Sequence, residues 1–184
     1  MKPILKTKVY NAYRSKTPKG FYHPVRGHSG VDLAYVHEDI PAPCDLTILK
    51  IAKQNEMGNV IYAIDKNKYI HVFAHQKDFI CQPNDVIKKD QLLGHSGNTG
   101  SRTTAPHLHY EILAPSGTNP EMKREGLMYP GDNIDPLKYL QSLPVTAENL
   151  ISTTEKEAIL TRARQKRQMW SGVFNKVKSL FTKP

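Results

Sequence analysis

The sequence contains no long apolar run and only two cysteines in 184 residues. A membrane span needs about 20 consecutive apolar residues, so we predict no transmembrane segment. Two cysteines are too few for a disulfide framework, and we interpret Cys44 and Cys81 as buried free thiols rather than as a pair. The start of the chain is basic, but no hydrophobic segment follows it as in a signal peptide. We therefore expect a chain that is mature, cytosolic, or carried out of the cell by another route.

Acidic residues are too few to balance the basic ones, and the formal net charge is +9. Most of the excess lies at the C-terminal end, because residues 155–184 carry a net charge of +6 and the rest of the chain only +3. A basic tail indicates an anionic partner, namely nucleic acid, lipid headgroups or a wall polymer, and charge alone does not choose among them. The overall composition, with 39% hydrophobic and 23% charged residues, is that of a soluble globular protein.

Short strand-like runs separated by turn-forming residues occupy the middle of the chain. Strands at this spacing predict a mainly β fold, an antiparallel sheet or sandwich. In residues 69–75, alternation places His71, Phe73 and His75 on one face, whereas Val72 and its even-numbered neighbours lie on the other face, which we expect to be the core side. The predicted strands are residues 46–52, 59–65, 69–75 and 85–88.

Two histidines, His107 and His109, lie two residues apart in an extended segment, so their side chains share one face. One of them can ligate a metal while the other works beside it, although two surface histidines on a strand give the same pattern. Upstream, His28 and Asp32 offer a further imidazole and a carboxylate. Two histidines and an aspartate are ligands that zinc accepts, and they leave a fourth position open for water, which is typical of a catalytic site.

Two loop regions follow from glycine and proline content. Residues 94–101 are glycine-rich, but no lysine follows Gly100 as a phosphate-binding loop requires, so we interpret them as a tight loop that presents the next strand. Residues 114–135 are also loop-like, and either wall a substrate groove or form a surface excursion. Residues 135–140 then predict a short helix that closes the domain.

Four motifs occur in a characteristic order: His28-x3-Asp32, Phe73-Ala74-His75, the glycine-rich loop 94–100, and Pro106 to His109. Together they resemble the lysostaphin-type zinc endopeptidases, which cut peptide bonds in bacterial peptidoglycan. The resemblance covers residues 21–140 and implies an antiparallel β catalytic domain that binds Zn²⁺ and acts on peptidoglycan peptides.

The resemblance also implies a role for five residues. His28, Asp32 and His109 correspond to the zinc ligands, and His75 and His107 to the histidines that assist catalysis. The alternative is a non-catalytic wall-binding or assembly module that retains the fold. Some family members have lost ligands in this way, and the complete set present here argues against that alternative.

Some positions depart from the family pattern. Phe73 stands where a tyrosine is usual, residues 38–41 replace a Gly-Thr-Pro-Val stretch, and Asn84 replaces a turn glycine. Asparagine tolerates the left-handed backbone region better than most residues, and none of these changes touches the five site residues. We interpret the other histidines as ordinary residues, and His71 is the one predicted to share a face with His75. They are His23, His37, His71 and His95.

The chain is predicted to have three parts: a lead-in of residues 1–20, a zinc endopeptidase domain of residues 21–143, and a basic amphipathic tail of residues 144–184. Ser152 and Glu155 form a capping box before a helix over residues 155–184. Apolar residues recur along its second half at helical spacing, in a narrow stripe. They are Trp170, Val173, Phe174, Val177, Leu180 and Phe181.

We expect this tail helix to bind a protein partner, in preference to packing on the domain, lying on an anionic membrane or binding nucleic acid. A wall enzyme made without an export signal is expected to be phage-encoded. It would act in the bacterial cell wall, either as part of a virion or after release at lysis.

Overall fold

A computed structural model of the protein describes residues 1–16, 27–115 and 132–144. The chain divides into two compact units, Met1–Ser142 and Leu143–Pro184. The predicted tail helix, the boundary at residue 20 and His23 lie outside the described residues and stay predictions. Within the part that is described, no helix is long and apolar enough to cross a membrane.

One antiparallel sheet of ten strands forms most of the described structure, which confirms the predicted fold class. The central path of hydrogen-bonded strands runs β1-β2-β9-β6-β5-β4-β7, while β10 pairs with β9, and β8 pairs with β6 and β3. A short 3-10 turn precedes the sheet and a helix follows it. The elements are the turn Ile4–Lys6, β1 (Val9–Asn11), β2 (Val31–Leu33), β3 (Asp39–Pro41), β4 (Leu46–Gln54), β5 (Gly58–Asp65), β6 (Ile70–Phe79), β7 (Val86–Ile87), β8 (Leu92–Ser96), β9 (Leu108–Ala114), β10 (Asp132–Ile134) and α1 (Pro136–Ser142).

The predicted strands coincide with β4, β5, β6 and β7, and the predicted closing helix with α1. Asn84 has a φ of 74°, the left-handed value that a glycine would adopt in its place. The loop predicted to extend to residue 135 is wrong at its end, because Asp132–Ile134 forms β10. Asp and Asn have a low intrinsic preference for strands, but backbone pairing with the edge of β9 outweighs this low preference.

Both faces of β6 are covered at its centre. Phe73 lies opposite Tyr110 of β9 and Ile61 of β5, and all three side chains are fully buried. Val72 and Ala74 point to the other face, where they join a smaller apolar cluster. The prediction that the Val72 face belongs to the core is confirmed. It is incomplete, because the stacked rings of Phe73 and Tyr110 are buried on the opposite face.

The glycine-rich loop after β8 packs against the turn that opens β5. Gly58 has a φ of 67°, and a side chain there would lie 2.3 Å from atoms of Thr99. The Thr99 hydroxyl accepts a hydrogen bond from the Asn59 N–H at 2.9 Å and donates to the Gln76 carbonyl at 2.8 Å. The loop is therefore held against β5 and β6, as expected for a packed connection rather than a phosphate cradle.

Candidate metal centre

Strand pairing and one backbone-anchored loop bring His28, Asp32 and His109 together. Asp32 of β2 lies directly opposite His109 of β9, so their side chains leave the sheet on the same face. His28 precedes β2 and is held from both sides of its peptide: its carbonyl accepts the Arg14 N–H at 2.8 Å, and its N–H donates to the Ser15 carbonyl at 2.9 Å. All three side chains are buried.

The three candidate ligand atoms form a compact triangle. His28 Nε2 lies 3.0 Å from His109 Nδ1 and 3.2 Å from Asp32 Oδ1, and the third side, from His109 Nδ1 to Asp32 Oδ1, measures 2.9 Å. In a tetrahedral zinc site with bonds of about 2.1 Å, neighbouring ligand atoms lie about 3.4 Å apart. The triangle is therefore close in size to one face of a zinc tetrahedron, and its donor set of two imidazoles and one carboxylate fits zinc.

Each of these three side chains is also bound at its second polar atom. His28 Nδ1 donates to the Ala12 carbonyl at 3.2 Å, and Asp32 Oδ2 accepts from the Asn11 amide at 3.0 Å. His109 Nε2 donates to Glu111 Oε1 at 2.8 Å. Such outer contacts fix the tautomer and the orientation of metal ligands. Asn11, Ala12 and Glu111 were not assigned a role from the sequence, although Glu111 lies two residues after His109, which places it on the same face of β9.

Two carboxylates, the buried Asp32 and the half-buried Glu111, give the centre a negative field. Burial acts to raise the pKa of Asp32, but the contacts of its carboxylate with His107, His109 and His28 outweigh burial and hold the pKa well below its ordinary value. Burial likewise acts to raise the pKa of Glu111, and the hydrogen bond and charge of His109 bring it down to about 2. Burial acts to lower the pKa of His109, yet its bonds with the two carboxylates raise it to about 9. Asp32 and Glu111 therefore remain charged at neutral pH and favour a cation at this position.

A β-bulge turns His75 towards the centre. The pairing register between β5 and β6 shifts at this point, and His75 has a φ of 59°, unusual for a residue other than glycine. Strict alternation would place its ring on the Phe73 face, away from His109, which pairs with Ala74. Instead the His75 ring centroid lies 5.0 Å from that of His107 and 5.8 Å from that of His109. The predicted common face of His71 and His75 is therefore wrong.

The tautomers of His75 and His107 follow from their backbone contacts. His75 Nδ1 lies 2.8 Å from the Thr99 carbonyl, and His107 Nδ1 lies 2.8 Å from the Ala105 carbonyl. A carbonyl oxygen only accepts, so each Nδ1 carries the hydrogen and each neutral ring keeps an unprotonated Nε2. For His107 this Nε2 lies 3.4 Å from Asp32 Oδ1, at the edge of the centre.

The other described histidines lie away from this centre. His95 Nδ1 pairs with Asp78 at 2.6 Å, and His37 is exposed in a turn with a φ of 56°. His71 is completely buried against Tyr110, with 2.7 Å between Nδ1 and the tyrosine oxygen. The structure thus brings together all five residues singled out in the sequence and leaves the remaining described histidines elsewhere.

We expect the substitution Glu111→Gln to weaken zinc binding by about 10- to 100-fold, the usual cost of losing an outer hydrogen-bond partner of a metal ligand. The amide keeps the size of the side chain, but it removes the charge that orients His109 Nε2–H. Competition with a chromogenic chelator measures the affinity. Glu56→Gln, at a surface carboxylate paired with Arg102, is the matched control and should bind zinc normally. Equal affinities in the two variants would show that Glu111 has no such role.

The profile of Peptidase family M23 matches residues 26–121 of this chain. Over 96 residues the chain is 36% identical to the peptidoglycan DD-endopeptidase ShyC of Vibrio cholerae. This alignment covers 50% of this chain and 22% of that protein. The chain is 30% identical over 99 residues to morphogenesis protein 1 of Bacillus phage B103, covering 48% of this chain and 26% of that protein. The chain thus spans only a minor part of these curated relatives.

Among solved structures, the catalytic domain of lysostaphin from Staphylococcus simulans superposes on this chain with a TM-score of 0.60 and 26% sequence identity. The superposition covers 74% of this chain and 93% of that domain. The similarity therefore extends over nearly the whole lysostaphin catalytic domain.

Proposed function

We propose, from the premise that this chain belongs to peptidase family M23, that it is a zinc-dependent endopeptidase that cleaves peptide bonds in bacterial peptidoglycan. The observation that carries the proposal is the convergence of five side chains: a triangle of zinc-type ligand atoms with two histidine rings beside it. Loss of any of these side chains would favour a non-catalytic binding module, and all five are present. The five are His28, Asp32, His75, His107 and His109.

His28, Asp32 and His109 would hold the zinc ion. When bound, zinc supplies a Lewis acid that polarises the scissile carbonyl and lowers the pKa of water to about 7. His75 and His107 each keep an unprotonated Nε2, so either atom can accept the proton that water loses on attack and return it to the leaving amide nitrogen. Burial lowers the pKa of His75 to about 4, which keeps this ring neutral and able to accept a proton at neutral pH.

Peptidoglycan is proposed as the substrate because the described similarities point to the same class. ShyC is named for endopeptidase activity on peptidoglycan, and lysostaphin is an antimicrobial peptidase. The bond cut would be in a stem peptide or a cross-bridge. The zinc dependence is supported by the donor set and by the three outer hydrogen bonds that would orient it.

We further assign the enzyme to a phage, as a virion component or a lysin, with the tail as a docking segment for a protein partner. The similarity to a phage morphogenesis protein supports the first part. The second part rests on the sequence, since the basic residues of segment 155–184 precede an apolar stripe, and an isolated helix is marginal in water unless the stripe is buried. Gly172 and the narrow stripe suit a helical seam better than a lipid face.

Digestion of purified cell walls tests the enzymatic part, and incorporation into the parent particle tests the role of the tail. The full chain and a version ending at Pro144 should release the same new amino groups, and mass spectrometry of the muropeptides should show cut peptides and intact glycan strands. The shorter version retains all of unit Met1–Ser142 but should fail to enter the parent particle. No peptide cleavage by the zinc-loaded full chain would contradict the enzymatic proposal.

Unfolding of the shorter version would indicate a tail packed on the domain, and tight binding of a tail peptide to anionic vesicles would indicate a membrane.

A further inference from the structure

A second cluster of metal-type side chains lies away from the candidate active site. Cys44 belongs to the turn between β3 and β4, Asp65 ends β5, and His71 lies near the start of β6. Their ligand atoms all fall within 4.8 Å of one another. His71 and Asp65 are buried and Cys44 is half-buried. His71 lies opposite Ile112 of β9, so its side chain leaves the sheet on the face opposite to that of His109.

The distances within this cluster are long for direct bonds and suitable for a bridging ion. His71 Nε2 lies 3.5 Å from Asp65 Oδ2 and 4.0 Å from Cys44 Sγ. A charge-assisted hydrogen bond from an imidazole to a carboxylate is shorter, about 2.7–2.9 Å. Zinc bonds of about 2.0–2.2 Å to nitrogen and oxygen, and about 2.3 Å to sulfur, place neighbouring ligand atoms about 3.3–3.7 Å apart in a tetrahedron. Small shifts of Cys44 would therefore close the three atoms around one ion.

The atoms that would not touch an ion are already bound. His71 Nδ1 lies 2.7 Å from the Tyr110 oxygen, and Asp65 Oδ1 accepts the N–H groups of Asn67 and Tyr69, each at 2.9 Å. The Tyr139 hydroxyl of α1 donates to Asp65 Oδ2, the same oxygen that lies 3.5 Å from His71 Nε2, so an ion there would share this oxygen with the tyrosine. These contacts are the outer partners that orient metal ligands. They hold His71 Nε2 and the Asp65 carboxylate towards Cys44.

We propose that Cys44, Asp65 and His71 bind a second zinc ion, separate from the candidate active site. A thiolate and a carboxylate together balance the charge of a divalent cation, and a thiolate with an imidazole selects zinc over magnesium or calcium. Cys44 would bind as a thiolate, so the incoming ion displaces the thiol proton to solvent.

The position of the ligands indicates what the ion would do. It would join the turn between β3 and β4 to the hairpin of β5 and β6 and, through Tyr139, contact the middle of the closing helix. A site of this kind stabilises one end of the sheet. The reaction centre, at the bulge of β6, does not use it.

Metal content of the full chain tests the proposal. After loading with Zn²⁺ and removal of the excess, the unaltered chain should hold two zinc ions. Cys44→Ala should hold one and digest walls normally. Cys81→Ala is the matched control, because Cys81 is the other free cysteine, and it should hold two. A single zinc ion in the unaltered chain, or two in Cys44→Ala, would overturn the second site.

Cobalt gives an independent readout, because a thiolate ligand produces intense sulfur-to-metal charge-transfer absorption and the His28–Asp32–His109 centre contains no sulfur. The Co²⁺-loaded chain should show this band, and so should Cys81→Ala and His109→Ala. The band should be absent from Cys44→Ala. Its absence from the unaltered chain would refute the site, and its persistence in His109→Ala would show that the second site is independent of the first.

Discussion

Replacing His109 with alanine is expected to abolish wall digestion and to lower the zinc content by one ion per chain. His109 supplies one of three proposed ligand atoms, and its Nδ1 lies within 3.0 Å of both His28 Nε2 and Asp32 Oδ1. Alanine leaves one imidazole and one carboxylate, which are too few to hold zinc against a chelator. It also removes the 2.9 Å contact between His109 and the buried Asp32. Elemental analysis of the purified protein and turnover on isolated walls measure the two losses.

The control for this substitution is His95→Ala, which removes a half-buried histidine that pairs with Asp78 outside the centre. This variant should keep both zinc and activity. A chelator should inactivate the unaltered enzyme, and added zinc should restore it, because the ligands stay in place when the ion leaves. Undiminished zinc content in His109→Ala would refute the ligand assignment. Full activity in the chelated protein would refute a metal-dependent reaction.

The strands and the ligand spacing could be predicted because both are local. That His107 and His109 share one face follows from any extended backbone at this point. The structure has such a backbone, since β9 begins at Leu108, between the two histidines. The pairing of Asp32 with His109 joins residues far apart in sequence, and here the order of the four motifs, rather than any single spacing, indicated the arrangement. The assignment of ligands and assisting residues stays a prediction, now with a geometry that can be tested.

The parts that could not be predicted depend on irregular backbone or distant neighbours. Ala74 already lies on the face of the centre, so regular alternation would place the next residue, His75, on the other face. A bulge with a positive φ interrupts the alternation and turns His75 towards the centre. Asn11 contacts Asp32 only because β1 joins the sheet, which nothing in the polar N-terminal sequence indicated. The burial of the second face of β6 depends on a distant neighbour in the same way, since β9 brings Tyr110 against Phe73.

Removing either His75 or His107 is expected to keep zinc and fold but to reduce turnover by about 10²–10⁴-fold, the usual contribution of a general acid–base group. For His75 the informative substitution is His75→Asn. Asparagine adopts the left-handed backbone conformation more readily than alanine does. Alanine would add strain of about 1–2 kcal/mol at the observed φ of 59°. Asparagine cannot move a proton, so the loss reports chemistry rather than folding. At His107, where no such strain exists, alanine suffices.

Three measurements separate a role in catalysis from a role in packing. The control is His95→Asn, which replaces a histidine outside the centre. Zinc content and thermal unfolding of both variants should match those of this control, and only turnover should fall. His107→Ala removes an Nε2 that lies 3.4 Å from Asp32 Oδ1, so a change in zinc affinity there would instead make His107 an orienting partner of the ligand. If both single variants lose less than about tenfold, the two rings are packing residues and the proton must be carried by another group. If only one variant shows the large loss, that residue is the one that accepts the proton of the attacking water.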